Sequence, residues 1–393
     1  MSVKKLRKNV KNALTVLLLC VLSFIGGFYI QRKKNFVNEY VKVSYKTVDT
    51  KVENKLSMVM VGDALIHNSV YETYKKSGNT YDFRGMFKYM KPVIQEYDLA
   101  YYNQETILGG KELKLSNYPQ FNSPTEVGDG FLDAGFNLVS MATNHTLDRY
   151  YNTGGKTTIN SRNYWNKQME EHEDLIAAGS YNSKEEQEEI VIREKNGIKY
   201  ALLSYTVMTN GIPVPSGKSY VVNIYSKDRV KKDIEKYRDK VDLLMVAMHW
   251  GIEYVHYPVQ EQKDIAKYLA SLNVDIVIGC HSHTVQPITF IDNTLVIYSL
   301  GNFVSSQTNT DQLIGLLADV DITKTTYHGK TTLTLSNVGA DLLYTSKSYT
   351  YGRFVVYPFS KLSNSILSNY KNYYNTYSKY VTAYNKDIKM KGV

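Results

Sequence analysis

Cysteine is almost missing from this chain. Only Cys20 and Cys280 carry thiols in 393 residues. Cys20 lies inside an uncharged apolar run, so the sequence holds no internal disulfide framework. Proline is sparse, at 8 residues, and no internal repeat or low-complexity block interrupts the chain. Acidic residues are absent from positions 1–35, where Lys4, Lys5, Arg7, Lys8, Lys11, Arg32, Lys33 and Lys34 stand. Setting those eight aside leaves 39 of the 47 basic residues against 38 acidic ones. The basic balance therefore belongs to the N-terminal flank. Nucleic-acid binding, which needs cations concentrated on a folded surface, is not expected.

What remains is an ordinary globular composition, 43% apolar and 22% charged, long enough for one large α/β domain with extra segments. Residues 13–30 (ALTVLLLCVLSFIGGFYI) carry no charge and are bracketed by cationic runs. That pattern predicts a signal-anchor helix. No small-residue cleavage site follows the run, and Cys20 sits in its middle rather than at its end, so neither a cleaved signal nor a lipoprotein signal fits. Five basic residues precede the run and three follow it. The positive-inside bias then leaves residues 1–12 as a cytoplasmic tail and puts residues 31–393 outside the cell membrane, with residues 31–55 as a polar stalk.

From about Leu56 the sequence shows short apolar runs, each ending in a polar cluster. MVMV leads to Gly62-Asp63, LAYY to Asn103-Gln104-Glu105, LVSMA to Thr143-Asn144-His145, and LLMVAM to His249-Trp250-Gly251. DIVIG leads to Cys280-His281-Ser282-His283, and LVIYSL to Gly301-Asn302-Phe303. Such runs fit strands buried on both faces. Helical patterns between them, at 230–240, 260–272 and 157–178, predict an α/β fold with crossover helices. Two hairpins, around Lys195-Asn196-Gly197 and Asp292-Asn293-Thr294, point to a second sheet. Residues 312–358 look strand-rich, and residues 361–385 predict a docking helix.

Functional groups of such folds gather at the C-terminal ends of strands. The polar clusters stand there. Five of the eight histidines, at positions 67, 145, 249, 281 and 283, fall in them. His281 and His283, two apart on a tight segment, can reach one metal cluster, and neutral imidazole suits Zn, Mn or Fe. Read alone, Asn144 is equally well a helix cap, Asp63 a turn residue and Glu105 a solvated carboxylate. Cys280 reads as packing, and His172, His256 and His328 as surface residues. Trp250 and Tyr254 read equally well as the lining of a pocket mouth or as core.

The ordered set G-D, N-x-E, T-N-H, H-W-G, G-x-H-x-H-x-x-Q-P and S-L-G-N-F resembles the CapA-type (poly-γ-glutamate capsule synthesis) proteins. Those are distantly similar to calcineurin-like metallophosphoesterases. The motifs run from Gly62-Asp63 to Ser299-Leu300-Gly301-Asn302-Phe303, so the resemblance covers about residues 56–325, with 326–393 as a C-terminal extension. It implies a four-layer α-β-β-α sandwich and one or two divalent cations. Asp63 and His283 would hold one, Asn144, His249 and His281 the other, with Glu105 bridging and His145 acting as acid or transition-state stabiliser. The phosphoesterase D-x-H pattern is broken here, with Leu65 in the His position and Glu in place of the bridging Asp. The implied work is synthesis or export of an anionic surface polymer at the membrane, beside other capsule-synthesis membrane proteins. A non-catalytic anchor or export scaffold, and a phosphodiesterase acting on wall polymers, are the alternatives.

Overall fold

The computed structural model describes residues 3–37, 50–347 and 354–392. The chain divides into two compact units, Met1–Thr50 and Lys51–Val393. In the first, one helix runs Val3–Val37. It extends past both ends of the apolar run at 13–30, because the cationic flanks are also good helix formers. Its segment Leu6–Gly27 is long and apolar enough to cross a membrane. Leu14, Leu17, Leu18 and Phe24 on it are exposed. Residues 38–49 of the expected stalk lie outside the described residues.

The second unit holds fifteen strands among its described residues. In chain order these are β1 (Val52–Ala64), β2 (Leu99–Asn103), β3 (Leu138–Ser140), β4 (Ile176–Ala178), β5 (Ile192–Lys195), β6 (Ile198–Thr206), β7 (Leu243–His249), β8 (Ile276–Cys280), β9 (Ile288–Ile291), β10 (Thr294–Ile297), β11 (Asn302–Val304), β12 (Ile314–Tyr327), β13 (Lys330–Ser346), β14 (Val355–Pro358) and β15 (Lys389–Met390). One sheet has the order β14-β13-β12-β1-β2-β3-β4, with β11 also on β1 and β15 on β13; the other has the order β5-β6-β7-β8-β10-β9. The chain from β1 through β4 pairs in parallel, as does β6-β7-β8-β10, whereas β12, β13 and β14 are antiparallel.

Alternate residues of these strands face two different cores. Met58, Met60 and Tyr101 of the first sheet meet Tyr200, Met245 and Ile278 of the second between the sheets. Val59, Val61 and Ala100 face outward onto Phe87, Phe131 and Trp165 of the covering helices. Leu203, Val246 and Val277 face outward onto Val230, Ile234, Ile265 and Leu269. The layers are therefore helix, sheet, sheet, helix, the sandwich that the resemblance implies. Each sheet is apolar on both faces because each has a partner on both.

Helices at Lys227–Tyr237 and Gln260–Ser271 match the periodic segments. The segment 157–178 does not form one helix. It is a helix only over Lys156–Glu171; His172 turns extended, and Ile176–Ala178 becomes β4, paired in parallel with β3. Ile176, Ala177 and Ala178 at its end serve a strand ladder, which the helical spacing concealed. β1 begins at Val52, four residues before Leu56. β12 crosses position 325, and β13 continues the same sheet. A helix at Tyr370–Val381 packs Tyr374, Tyr377 and Val381 against the inter-sheet core.

Asp341, on β13, is a buried carboxyl whose Oδ1 accepts the Leu342 amide at 2.8 Å. Burial pushes its pKa up to about 6. A pKa raised on folding favours the fold at low pH and is a cost once pH rises through 6. Asp341→Asn should therefore raise stability by on the order of 1 kcal/mol at pH 8, and by nothing at about pH 2.5, well below the unfolded value of 3.8. Thermal melts at the two pH values check this.

Candidate metal centre

The site is built from strand ends brought level by register. Asp63 pairs with Asn103 of β2 and Asn302 of β11. His249 pairs with Cys280 at the end of β8, one residue before His281. Close backbone contact makes this possible. A Cβ on Gly62 would lie 1.8 Å from the Gly301 carbonyl oxygen, and one on Gly279 would lie 2.0 Å from that of Tyr298. Only glycine lets these strands meet. His281 and His283 have φ of 98° and 55°, in the left-handed region that non-glycine residues avoid. Such backbone costs about 1–3 kcal/mol per residue and persists where surrounding structure enforces it. Here it turns two rings from one short segment toward Glu105.

Asp63, Glu105, Asn144, His145, His249, His281 and His283, drawn from positions more than two hundred residues apart, lie in one buried cluster. Two donor groups emerge: Glu105, His249 and His281, and Asp63, Glu105 and His283, with ligand atoms within 4.8 Å of one another in each. Glu105 belongs to both. Its Oε1 is 3.9 Å from His249 Nε2 and 3.7 Å from His283 Nε2. Asn144 Oδ1 lies 2.9 Å from His249 Nε2, and His281 Nδ1 lies 3.2 Å from the same nitrogen. Asp63 Oδ2 is 3.8 Å from His283 Nδ1 and accepts the His281 amide at 3.1 Å.

The donors fit a divalent cation. Both Glu105 oxygens are buried and find no hydrogen-bond partner among the described residues, an arrangement that costs several kcal/mol unless a positive group meets them. Burial drives the Glu105 pKa well above the carboxylate range and raises that of Asp63. It also lowers the imidazoles: His281 to about 3, His283 below its ordinary value and His249 well below it. These three rings are thus neutral, the form that ligates, and none of the three carries a charge to balance the carboxylates. A mixed set of carboxylate, amide and imidazole donors suits Mn, Fe or Zn.

Three residues that sequence reasoning left without a role support this cluster. Asn103 Nδ2 donates to Asp63 Oδ1 at 2.6 Å and lies 3.3 Å from His249 Nδ1. Asn302 Oδ1 lies 2.9 Å from His283 Nδ1, which makes that nitrogen the donor and leaves Nε2 facing Glu105. Asp148 Oδ2 lies 2.7 Å from His145 Nδ1 and also accepts the Phe121 amide at 2.6 Å. Asn103 and Asn302 stand inside motifs already quoted, and an Asp three residues after a buried His was the signal for Asp148. His145 belongs to neither donor group. It packs edge-on against Phe121, with ring centroids 4.9 Å apart. His67 also stays outside both groups; its Nδ1 lies 3.1 Å from the Leu65 carbonyl oxygen and 3.3 Å from the Ser306 amide.

Trp250 is core, fully buried, with Nε1 donating to the Tyr298 carbonyl at 2.9 Å. Tyr254 is at the surface, its ring 5.9 Å from that of His283. Burial and the neighbouring Glu253 push its phenol up to about 12, so it is protonated at neutral pH. Cys280 is buried, and burial raises its thiol well above the ordinary value. His256, expected at the surface, is instead half-buried, stacked on Tyr380 at 4.2 Å.

Comparison with known proteins places the chain in a family. A capsule biosynthesis protein CapA from Bacillus anthracis is 27% identical over 77% of this chain and 71% of its own length. A PGA biosynthesis protein CapA from Bacillus subtilis (strain 168) is 24% identical over 77% of this chain and 74% of its own. Among solved structures, the NAD nucleotidase of Haemophilus influenzae covers 87% of this chain and 64% of its own, at 11% identity and a TM-score of 0.40. The bacterial capsule synthesis protein model PGA_cap matches residues 57–307, which hold every residue of the cluster. The chain therefore belongs to the PGA_cap family of bacterial capsule synthesis proteins.

Proposed function

We propose that this is a membrane-anchored protein whose Lys51–Val393 unit works outside the cell, in synthesis or export of an anionic polymer of the poly-γ-glutamate type, through a divalent-cation hydrolase site. The relatives' names support the pathway. The apolar segment Leu6–Gly27, with cationic residues on both sides, supports the anchor. The observation that carries the hydrolase reading is Glu105: a buried carboxylate with two unpartnered oxygens at the shared corner of two donor groups.

Asp63, Glu105 and His283 would hold one cation, and Glu105, Asn144, His249 and His281 a second. When bound, such ions polarise the group under attack and supply a nucleophile at neutral pH. The chain's own residues do the rest. Asn302 fixes the His283 tautomer, and Asn103 holds Asp63. Asp148 engages His145 Nδ1, so Nε2 is the nitrogen that meets the leaving group and gives it a proton.

The test is to incubate the full chain, purified in detergent with Mn²⁺, with poly-γ-glutamate and with a generic phosphodiester. Shortening of the polyglutamate that EDTA abolishes is the expected result. Polymer binding without turnover would instead support a scaffold, and turnover of the phosphodiester alone a wall-polymer phosphodiesterase.

A further inference from the structure

Tyr254 combines features that packing does not require. It follows β7 by five residues and adopts φ of 66°, a left-handed conformation uncommon for a bulky side chain. Its amide donates to the Ser282 carbonyl at 2.7 Å, which pins its backbone between His281 and His283. Its ring tilts 31° over that of His283. Its hydroxyl accepts from Gln307 Nε2 at 3.2 Å. Gln307 Oε1 in turn accepts from Asn302 Nδ2 at 2.8 Å, and Asn302 Oδ1 engages His283 Nδ1. Backbone, ring and hydroxyl are thus each tied to the same histidine pair. Yet the residue remains 50% exposed, so little core depends on it. A side chain held this firmly, in strained backbone, with one face open to solvent, is placed for something arriving from outside.

We propose that Tyr254 is a substrate-contacting residue, whose phenol donates a hydrogen bond to a carboxylate oxygen of the polymer on the His283 side of the site. This rests on the functional reading above. Gln307 donates to the hydroxyl oxygen, so the phenol proton is the group left to give. In the free protein the phenol proton is held by the adjacent Glu253 carboxylate, and a polymer carboxylate takes its place.

Tyr254→Phe tests this, because it keeps the ring and removes only the hydroxyl. Binding of a γ-linked glutamate oligomer to the Mn²⁺-loaded full chain in detergent is measured by calorimetry, with metal content and thermal melting followed alongside. A hydrogen bond to a charged group predicts a Kd raised about tenfold in the Phe variant, with metal content and melting unchanged. Equal affinity in the two proteins overturns the assignment while leaving the functional reading in place. A shift in melting or metal content that accounts for the loss makes Tyr254 structural and also overturns it. If the wild type itself does not bind the oligomer, the functional reading falls and takes this contact with it.

Discussion

Replacing Glu105 by Gln is expected to abolish the rise in melting temperature that Mn²⁺ gives the wild-type protein. Glu105 is the one residue in both donor groups, so its loss strikes both positions at once. The substitution is nearly isosteric and needs no new cavity. Without a cation the buried carboxyl is already pushed toward its neutral, protonated form, and Gln imitates that form. The metal-free variant should therefore melt close to the metal-free wild type. The difference appears on loading: a ligand at a hundred times its Kd adds about 2.7 kcal/mol to the wild type, and the variant gains almost none. Differential scanning calorimetry with and without Mn²⁺ reads this directly. Equal gains in both proteins would remove Glu105 from the site.

His145→Ala should give the opposite pattern, full cation binding with turnover lowered by 10²- to 10⁴-fold, the range of a lost general acid. The reason is geometric. His145 is in neither donor group, and its Nδ1 is occupied by Asp148 at 2.7 Å. Asp148→Asn should lose part of the same rate, since the amide cannot replace the carboxylate that orients the ring. Steady-state kinetics on polyglutamate, with metal content measured in the same samples, separates this from a ligand's role.

Much of this was legible in the sequence, for a physical reason. Strands buried on both faces read as unbroken apolar runs, and the side chain after each run lands at the C-terminal end of its strand. Hence the positions of Asp63, Glu105, His249 and His281 marked them as candidates, though only the ordered motif resemblance set Asp63 and Glu105 apart from a turn residue and a solvated carboxylate. The stretch 157–178 misled because Leu175 and Ile176 continue a helical spacing, while Ile176, Ala177 and Ala178 pair in parallel with β3. Asn103, Asn302 and Asp148 stayed without roles because those roles arise from register and tertiary contact. Asn302 matters only because β11 sets it beside Asp63, and Asp148 only because a turn folds it back onto His145. Tyr254 was equivocal for the same reason: its position over His283 depends on the left-handed turn at its own backbone.

The partition of donors between two positions gives the most direct test of the metal centre. Full chain purified in detergent, saturated with Mn²⁺ and freed of loose ions, is analysed for metal per protein, wild type beside His283→Ala. His283 serves the Asp63 group and not the His249–His281 group. The wild type should hold up to two ions per chain, and the variant should lose the one that Asp63 and His283 share while keeping the other. Identical metal content in both proteins, or none in the wild type, would contradict a cation gripped by these side chains.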